Sequence, residues 1–142
     1  MFKDCVVLVT GSTQGIGKAT SLSFYNSGAK VVFTGRNSET LFVIEKELNN
    51  PSRALFRRVN FLRKKSCKEL VDGVVREWGP IDILINNCGG LQEKGQFLDL
   101  DENAWKNAFE LNLLTTVTMS RLIIPIMSKN GGGRIVNLSS IT

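Results

Sequence analysis

The chain has 142 residues, with 18 basic and 13 acidic side chains, a net charge of +5 and 42% hydrophobic residues. That is ordinary globular composition for one domain over residues 1–142, and it excludes collagen, coiled coil and wholesale disorder. Histidine is absent, which removes Ser-His-Asp triads, Cys-His dyads and histidine-ligated metals from the available chemistry, and no metal site is expected.

Residues 5–10 form a near-continuous apolar, β-branched run, as a strand buried on both faces requires. It passes through a glycine-rich turn into a helix over residues 15–27, ended by Gly28. A second strand, 30–34, precedes a helix that starts near Ser38, where Glu39 suits the positive helix end. A third strand, 54–60, precedes a helix over 66–78 that Gly79-Pro80 stops. A fourth, 81–86, precedes a helix running from near Asp101 toward Lys129. Pro125 removes a backbone donor there, so a kink or early end is expected. A fifth strand covers 134–139. This alternation implies an α/β fold: a doubly wound parallel sheet of five strands with four main helices on its two faces. Cys5, Cys67 and Cys88 are scattered, with no Cys-x-x-Cys pair, and read as free thiols of a reducing compartment. Asp4 stands where a signal peptide is apolar, and the run behind it ends at Thr10-Gly11, too short for a membrane span. A cytoplasmic protein without a membrane partner is therefore expected.

The first strand leads into Thr10-Gly11-Ser12-Thr13-Gln14-Gly15-Ile16-Gly17. Glycines let the backbone turn sharply and bring N–H groups close to a phosphate, and the helix start adds partial positive charge. The spacing is neither Gly-x-Gly-x-x-Gly nor a P-loop, and a tight turn without a ligand is the alternative. Together with three later segments, this motif resembles the amino-terminal part of the classical short-chain dehydrogenase/reductase family. Asn86-Asn87-Cys88-Gly89 resembles that family's Asn-Asn-Ala-Gly, with Cys88 for alanine. Asn112 matches its helical asparagine, and Gly133-Arg134-Ile135-Val136-Asn137-Leu138-Ser139-Ser140 matches its fifth strand. The phrasing is most similar to the 3-oxoacyl-[acyl-carrier-protein] reductase and glucose dehydrogenase branch. The resemblance implies a Rossmann-type fold truncated after strand five and hydride transfer between a nicotinamide cofactor and a carbonyl or alcohol substrate. It implies cofactor contacts from Thr10, Gly11, Ser12, Gln14, Gly15, Ile16, Gly17, Arg36, Asn60, Phe61, Asn87, Cys88 and Gly89. It assigns catalytic roles to Asn112, supporting a proton relay, and to Ser140, hydrogen-bonding the substrate oxygen.

Trp105, Ala108, Phe109, Asn112, Thr116, Met119 and Ile123 recur at helical spacing, so Asn112 is expected within an apolar stripe, either as a satisfied core amide or in the family's role. Leu111, Leu114, Thr118 and Leu122 form a second row, and a homo-oligomer through this helix is expected. Strand two ends Thr34-Gly35-Arg36-Asn37, without the acid that binds a ribose 2′-OH. Arg36 can pair with a 2′-phosphate, so NADP is expected over NAD. Gln14 carries no charge where many NADP-preferring relatives are basic, and Lys18 is expected to compensate in part. Asn60 replaces the family's Asp near the adenine, leaving an amide carbonyl to meet the ring's amino group.

Arg53, Arg57, Arg58, Arg63, Lys64, Lys65 and Lys68 form a basic run. It reads first as a solvated face, or as local potential for an anionic cofactor or acyl-carrier partner; nucleic acid has no supporting motif. The family's Tyr-x-x-x-Lys pair is missing, since the only tyrosine is Tyr25 and Ala29 stands four positions on. The pair is expected beyond Thr142, and the 142-residue chain alone is expected to be inactive. A non-catalytic nucleotide-binding module is the alternative reading.

Overall fold

The computed structural model describes residues 1–48, 50–91 and 93–140. In chain order the elements are β1 (Val6–Val9), α1 (Gly15–Asn26), β2 (Lys30–Gly35), α2 (Ser38–Glu47), a 3-10 turn (Pro51–Arg53), β3 (Ala54–Arg58), α3 (Lys64–Trp78), β4 (Ile83–Asn86), α4 (Glu102–Phe109), a π turn (Glu110–Leu114), α5 (Thr115–Lys129) and β5 (Arg134–Asn137). The expected doubly wound sheet is present. Its five strands lie in the order β3-β2-β1-β4-β5, and every neighbouring pair is parallel.

Alternation along each strand sends side chains to two separate cores. Val6, Leu8, Val32, Leu55 and Leu84 meet Leu70, Val71 and Val74 of α3 and Met119 and Ile123 of α5. Val7, Val9, Val31, Phe33 and Ile85 meet Tyr25 of α1 and Leu41 and Ile44 of α2. Burial on both faces is why these strands lack an alternating pattern in sequence. β1, β3 and β5 stop one or two residues short of their expected carboxyl ends, where the chain turns away to form loops, whereas β2 extends to Gly35 and β4 ends at Asn86 as expected. The departing residues still bond back across strand ends, Val59 N–H to Gly35 O at 2.9 Å and Leu138 N–H to Asn86 O at 2.9 Å.

Helix punctuation follows local chemistry. The Asn37 side chain accepts from Glu39 N–H, and that of Asp101 from Ala104 N–H, each satisfying an orphan donor. Gly28, at φ +95, ends α1, and Gly79, at φ +89, ends α3.

The last helix departs from expectation. Pro125 does not end α5, which continues to Lys129. Pro125 and Arg121 are both exposed, so water can take the carbonyl that the proline leaves free. A π turn that the sequence pattern did not announce lies at Glu110–Leu114, where Thr115 N–H bonds to Glu110 O, five residues back. The Leu111 carbonyl, displaced from the ordinary ladder, takes the Thr115 hydroxyl. An extra residue in a turn rotates the following face by about 100°. The expected stripe is therefore split. Trp105 (38% exposed) and Phe109 (59%) face outward, while Ala104, Thr115, Met119, Ile123 and Met127 are buried. Asn112 is exposed, not set among buried apolar side chains.

Glu102–Lys129 is long and apolar enough to cross a membrane by length and composition alone. The row Thr115, Met119, Ile123 and Met127 lies buried in the fold, as a helix covering an α/β sheet requires.

Candidate functional site

The carboxyl ends of β1 to β4 deliver Gly11, Gly35, Asn60 and Asn87 to one rim, which borders a cleft of about 660 Å³. The sheet order reverses between β1 and β4, and an open α/β sheet accepts ligands at that point. Gly11, Gln14, Gly15, Ile16, Gly17, Arg36, Asn60, Phe61, Asn87, Cys88 and Gly89 all line the cleft. Thr13, Gly35, Leu62, Gly90, Leu91 and Leu111 line it as well. Thr13 was legible in the glycine motif; Leu111 was not, because the π turn sets its direction.

Thr10 and Ser12 are buried beneath the cleft and do not line it. Thr10 Oγ1 accepts from Asn87 N–H and Cys88 N–H, both at 2.9 Å, and donates to Ile85 O. Ser12 is fully buried; its N–H donates to Thr34 O at 2.8 Å and its Oγ accepts from Thr34 N–H at 2.6 Å. Thr34 Oγ1 in turn accepts from Gly11 N–H and donates to Val9 O. These hydroxyls tie β1, β2 and β4 together and fix the loop above them.

Two glycines do different work. Gly15 has φ +52 and open space where a side chain would be. Gly17 is buried where a Cβ would stand 2.2 Å from Gly11 O and 2.4 Å from Asn87 Nδ2. That close approach lets Asn87 Nδ2 donate to both Thr10 O and Gly11 O at 2.9 Å. The first N–H groups of α1 have no intrahelical partner, and no acid sits in its first turn. The donors, the positive helix end and the open space at Gly15 fit a pyrophosphate.

At the β2 end, Gly35 is covered by Thr13, whose Cγ2 lies 2.4 Å from where a Cβ would be. An acid is absent, and Arg36 lines the cleft directly after it. Lys18, expected to compensate in part for Gln14, has its ammonium paired with Glu47 at 2.9 Å. Asn60 Oδ1 already accepts from Leu62 N–H at 3.1 Å, which leaves one lone pair for another donor. Burial pushes the Cys88 thiol up from its ordinary range, against a downward pull from Arg36. Burial also pushes Cys67 up, with Cys88 adding to the effect.

Asn112 reaches the cleft wall through backbone. Its Oδ1 accepts from Gly90 N–H at 2.8 Å, and its Nδ2 donates to Gly90 O and Ala108 O, each at 3.0 Å. Ser140 lies beyond β5, exposed and outside the cleft lining. Tyr25 is buried on the α1–α2 side. Its hydroxyl donates to Asn50 O at 2.5 Å, and the Arg53 guanidinium stacks 4.4 Å from its ring. Most of the basic run is exposed, Arg58, Arg63, Lys64, Lys65 and Lys68 among it, as a solvated face requires; Arg53 donates to Tyr25 O and Ala29 O, Arg57 pairs with Glu77, Lys65 with Glu69 and Lys68 with Asp72.

The family model for short chain dehydrogenases matches residues 5–142. A 7α-hydroxysteroid dehydrogenase of Bacteroides fragilis is 40% identical over 145 residues, covering 99% of this chain and 56% of that protein. A 3-oxoacyl-[acyl-carrier-protein] reductase of Thermotoga maritima is 34% identical over 137 residues, covering 96% and 55%. A solved 7α-hydroxysteroid dehydrogenase, complexed with NADH and 7-oxo glycochenodeoxycholic acid, superposes with a TM-score of 0.90 at 30% identity, covering 99% of this chain and 55% of that one. The chain thus spans about half the length of these relatives. The family match over residues 5–142, the parallel sheet and the glycine-lined cleft at its carboxyl edge agree: the chain belongs to the short-chain dehydrogenase family.

Proposed function

We propose that this chain forms the nucleotide-binding part of an NADP(H)-preferring oxidoreductase acting on a small carbonyl or alcohol substrate in the cytoplasm. The cleft carries this reading: backbone donors at the start of α1, a glycine floor, and a β2 end with Gly35 where an acid would select NAD and Arg36 directly after it. When bound, a nicotinamide cofactor supplies or accepts the hydride. Gly15, Ile16 and Gly17 present N–H groups to its phosphates, Arg36 offers a planar fork to a 2′-phosphate, and Asn60 with Phe61 borders the adenine side. Thr13 supports the same preference by filling the space over Gly35 that an acidic side chain would need.

Asn112 holds the 89–91 segment in register against the cleft, which keeps Gly90 and Leu91 on its wall. We assign Ser140 to the substrate side by its place after β5, as a hydrogen-bond donor to the substrate oxygen. It has no histidine to activate it as a nucleophile.

The test is fluorescence titration of the chain and of Arg36→Ala with NADPH and NADH. Arg36→Ala is expected to weaken NADPH about tenfold, the scale of one charge-assisted contact, and NADH hardly at all. Equal loss for both cofactors would refute a phosphate-reading arginine.

A further inference from the structure

We propose that Arg58 is a second reader of the ribose 2′-phosphate, anchored beside Arg36 by its own backbone bond. The inference rests on the NADP reading and names a residue that the glycine motif and the β2 end do not reveal. The β2–β3 register sets Gly35 against Arg58, and Arg58 Nε–H donates to Arg36 O at 3.0 Å. This bond fixes the Arg58 side chain against the turn that carries Arg36. It occupies one N–H of the guanidinium and leaves the terminal fork for an anion.

Strand alternation separates Arg58 from its neighbour. Arg57 crosses to α3 and is neutralised by Glu77, while Arg58 takes the other face, where α2 begins after Arg36 and Asn37. Arg53, on the same edge of the sheet, spends its terminal nitrogen on the carbonyls of Tyr25 and Ala29 and is a structural arginine. Arg58 makes no such bonds among the described residues.

Charge points the same way. Among the described residues, Lys18, Arg57, Lys65 and Lys68 each have an acidic partner within ion-pair distance; Arg36 and Arg58 have none, and Glu39 in the first turn of α2 pairs with neither. Arg36 lines the cleft and Arg58 is tied to the Arg36 backbone beside it; holding two unneutralised cations close is unfavourable, and a dianionic phosphomonoester relieves it. Gln14 brings no charge and Lys18 is engaged elsewhere, so Arg58 supplies the second cation of the subsite.

The experiment is calorimetric titration of the 142-residue chain with adenosine 2′,5′-bisphosphate and with adenosine 5′-monophosphate, which differ only in the 2′-phosphate. Wild type, Arg36→Ala, Arg58→Ala and Arg58→Gln are compared, with a melting curve for each. Glutamine retains an N–H for the Arg36 carbonyl and removes the charge, which guards against a folding defect in the alanine variant. Both Arg58 variants are expected to weaken the bisphosphate about tenfold and the monophosphate less than about twofold. Equal loss for the two nucleotides, or none, overturns the role of Arg58. A selective loss in Arg36→Ala without one in the Arg58 variants overturns it while leaving the NADP reading intact. No preference for the bisphosphate in wild type overturns the NADP reading and this inference together.

Discussion

Gly17 has no room for even a methyl group, whereas Gly15 has room but a backbone that ordinary residues resist. The two glycines should therefore fail differently. Gly17→Ala must displace Gly11 O or the Asn87 amide, and should lower unfolding free energy by about 1–3 kcal/mol, as other overpacked sites do. Gly15→Asn tolerates the left-handed conformation and should stay within about 1 kcal/mol of wild type. Urea denaturation of both variants checks this, and a milder loss in Gly17→Ala than in Gly15→Asn would contradict the geometry.

The thiols make a second prediction at this scale. Cys67 and Cys88 are held protonated by burial above their ordinary value of 9.0. Above that pH the unfolded chain has released protons that the folded chain retains. Stability contributed by the neutral thiols is full below the unfolded value and falls as pH rises through it. Urea midpoints measured from pH 7 to 10 should decline at the alkaline end. Cys67→Ala, although less stable at pH 7, should show a flatter decline.

At the scale of elements, the π turn between α4 and α5 matters most. It brings Asn112 to the backbone of Gly90 and rotates α5 so that Thr115, Met119, Ile123 and Met127 meet the sheet. Asn112→Ala removes the tie between a helix and the cleft wall, but leaves the freed groups exposed to water. The expected loss is about 1 kcal/mol of stability. A larger effect is expected on the loop: faster hydrogen exchange at the Gly90 amide and several-fold weaker nucleotide binding. Unchanged exchange at Gly90 would show that the loop is held by other contacts.

At the scale of the whole molecule, β1, β2 and β4 are buried almost throughout, but β5 is exposed and the last helix is not covered on its outer side. Only 22% of its most apolar 18-residue window is buried, and Leu113, Leu114, Val117 and Ile124 are exposed. We propose that a second copy of the chain packs there, the commonest way for such a face to be covered. Leu114→Glu should then shift light-scattering mass toward the monomer while leaving the circular dichroism spectrum unchanged. A wild-type chain that remains monomeric at high concentration would remove the proposal.

The alternation of apolar runs with amphipathic stretches was enough to determine the parallel sheet and the order of its elements. A both-face-buried strand and a sheet-covering helix impose periodicities that are local in sequence. The glycine motif, read with the three later segments that share its family resemblance, pointed to the loop at the cleft, because backbone conformation and close approach restrict residue type at single positions. Tertiary structure alone decided what depends on distant partners. Thr10 and Ser12 went beneath the cleft because β2 and β4 offered them backbone partners there. Lys18 was drawn to Glu47, Arg57 to Glu77 and Arg58 to the Arg36 carbonyl. The π turn was invisible in the helical pattern, since its extra residue keeps each half amphipathic and changes only the phase between them. The direction of that phase, and hence which side of the last helix meets the sheet, is fixed by the packing of Met119 and Ile123 in the core.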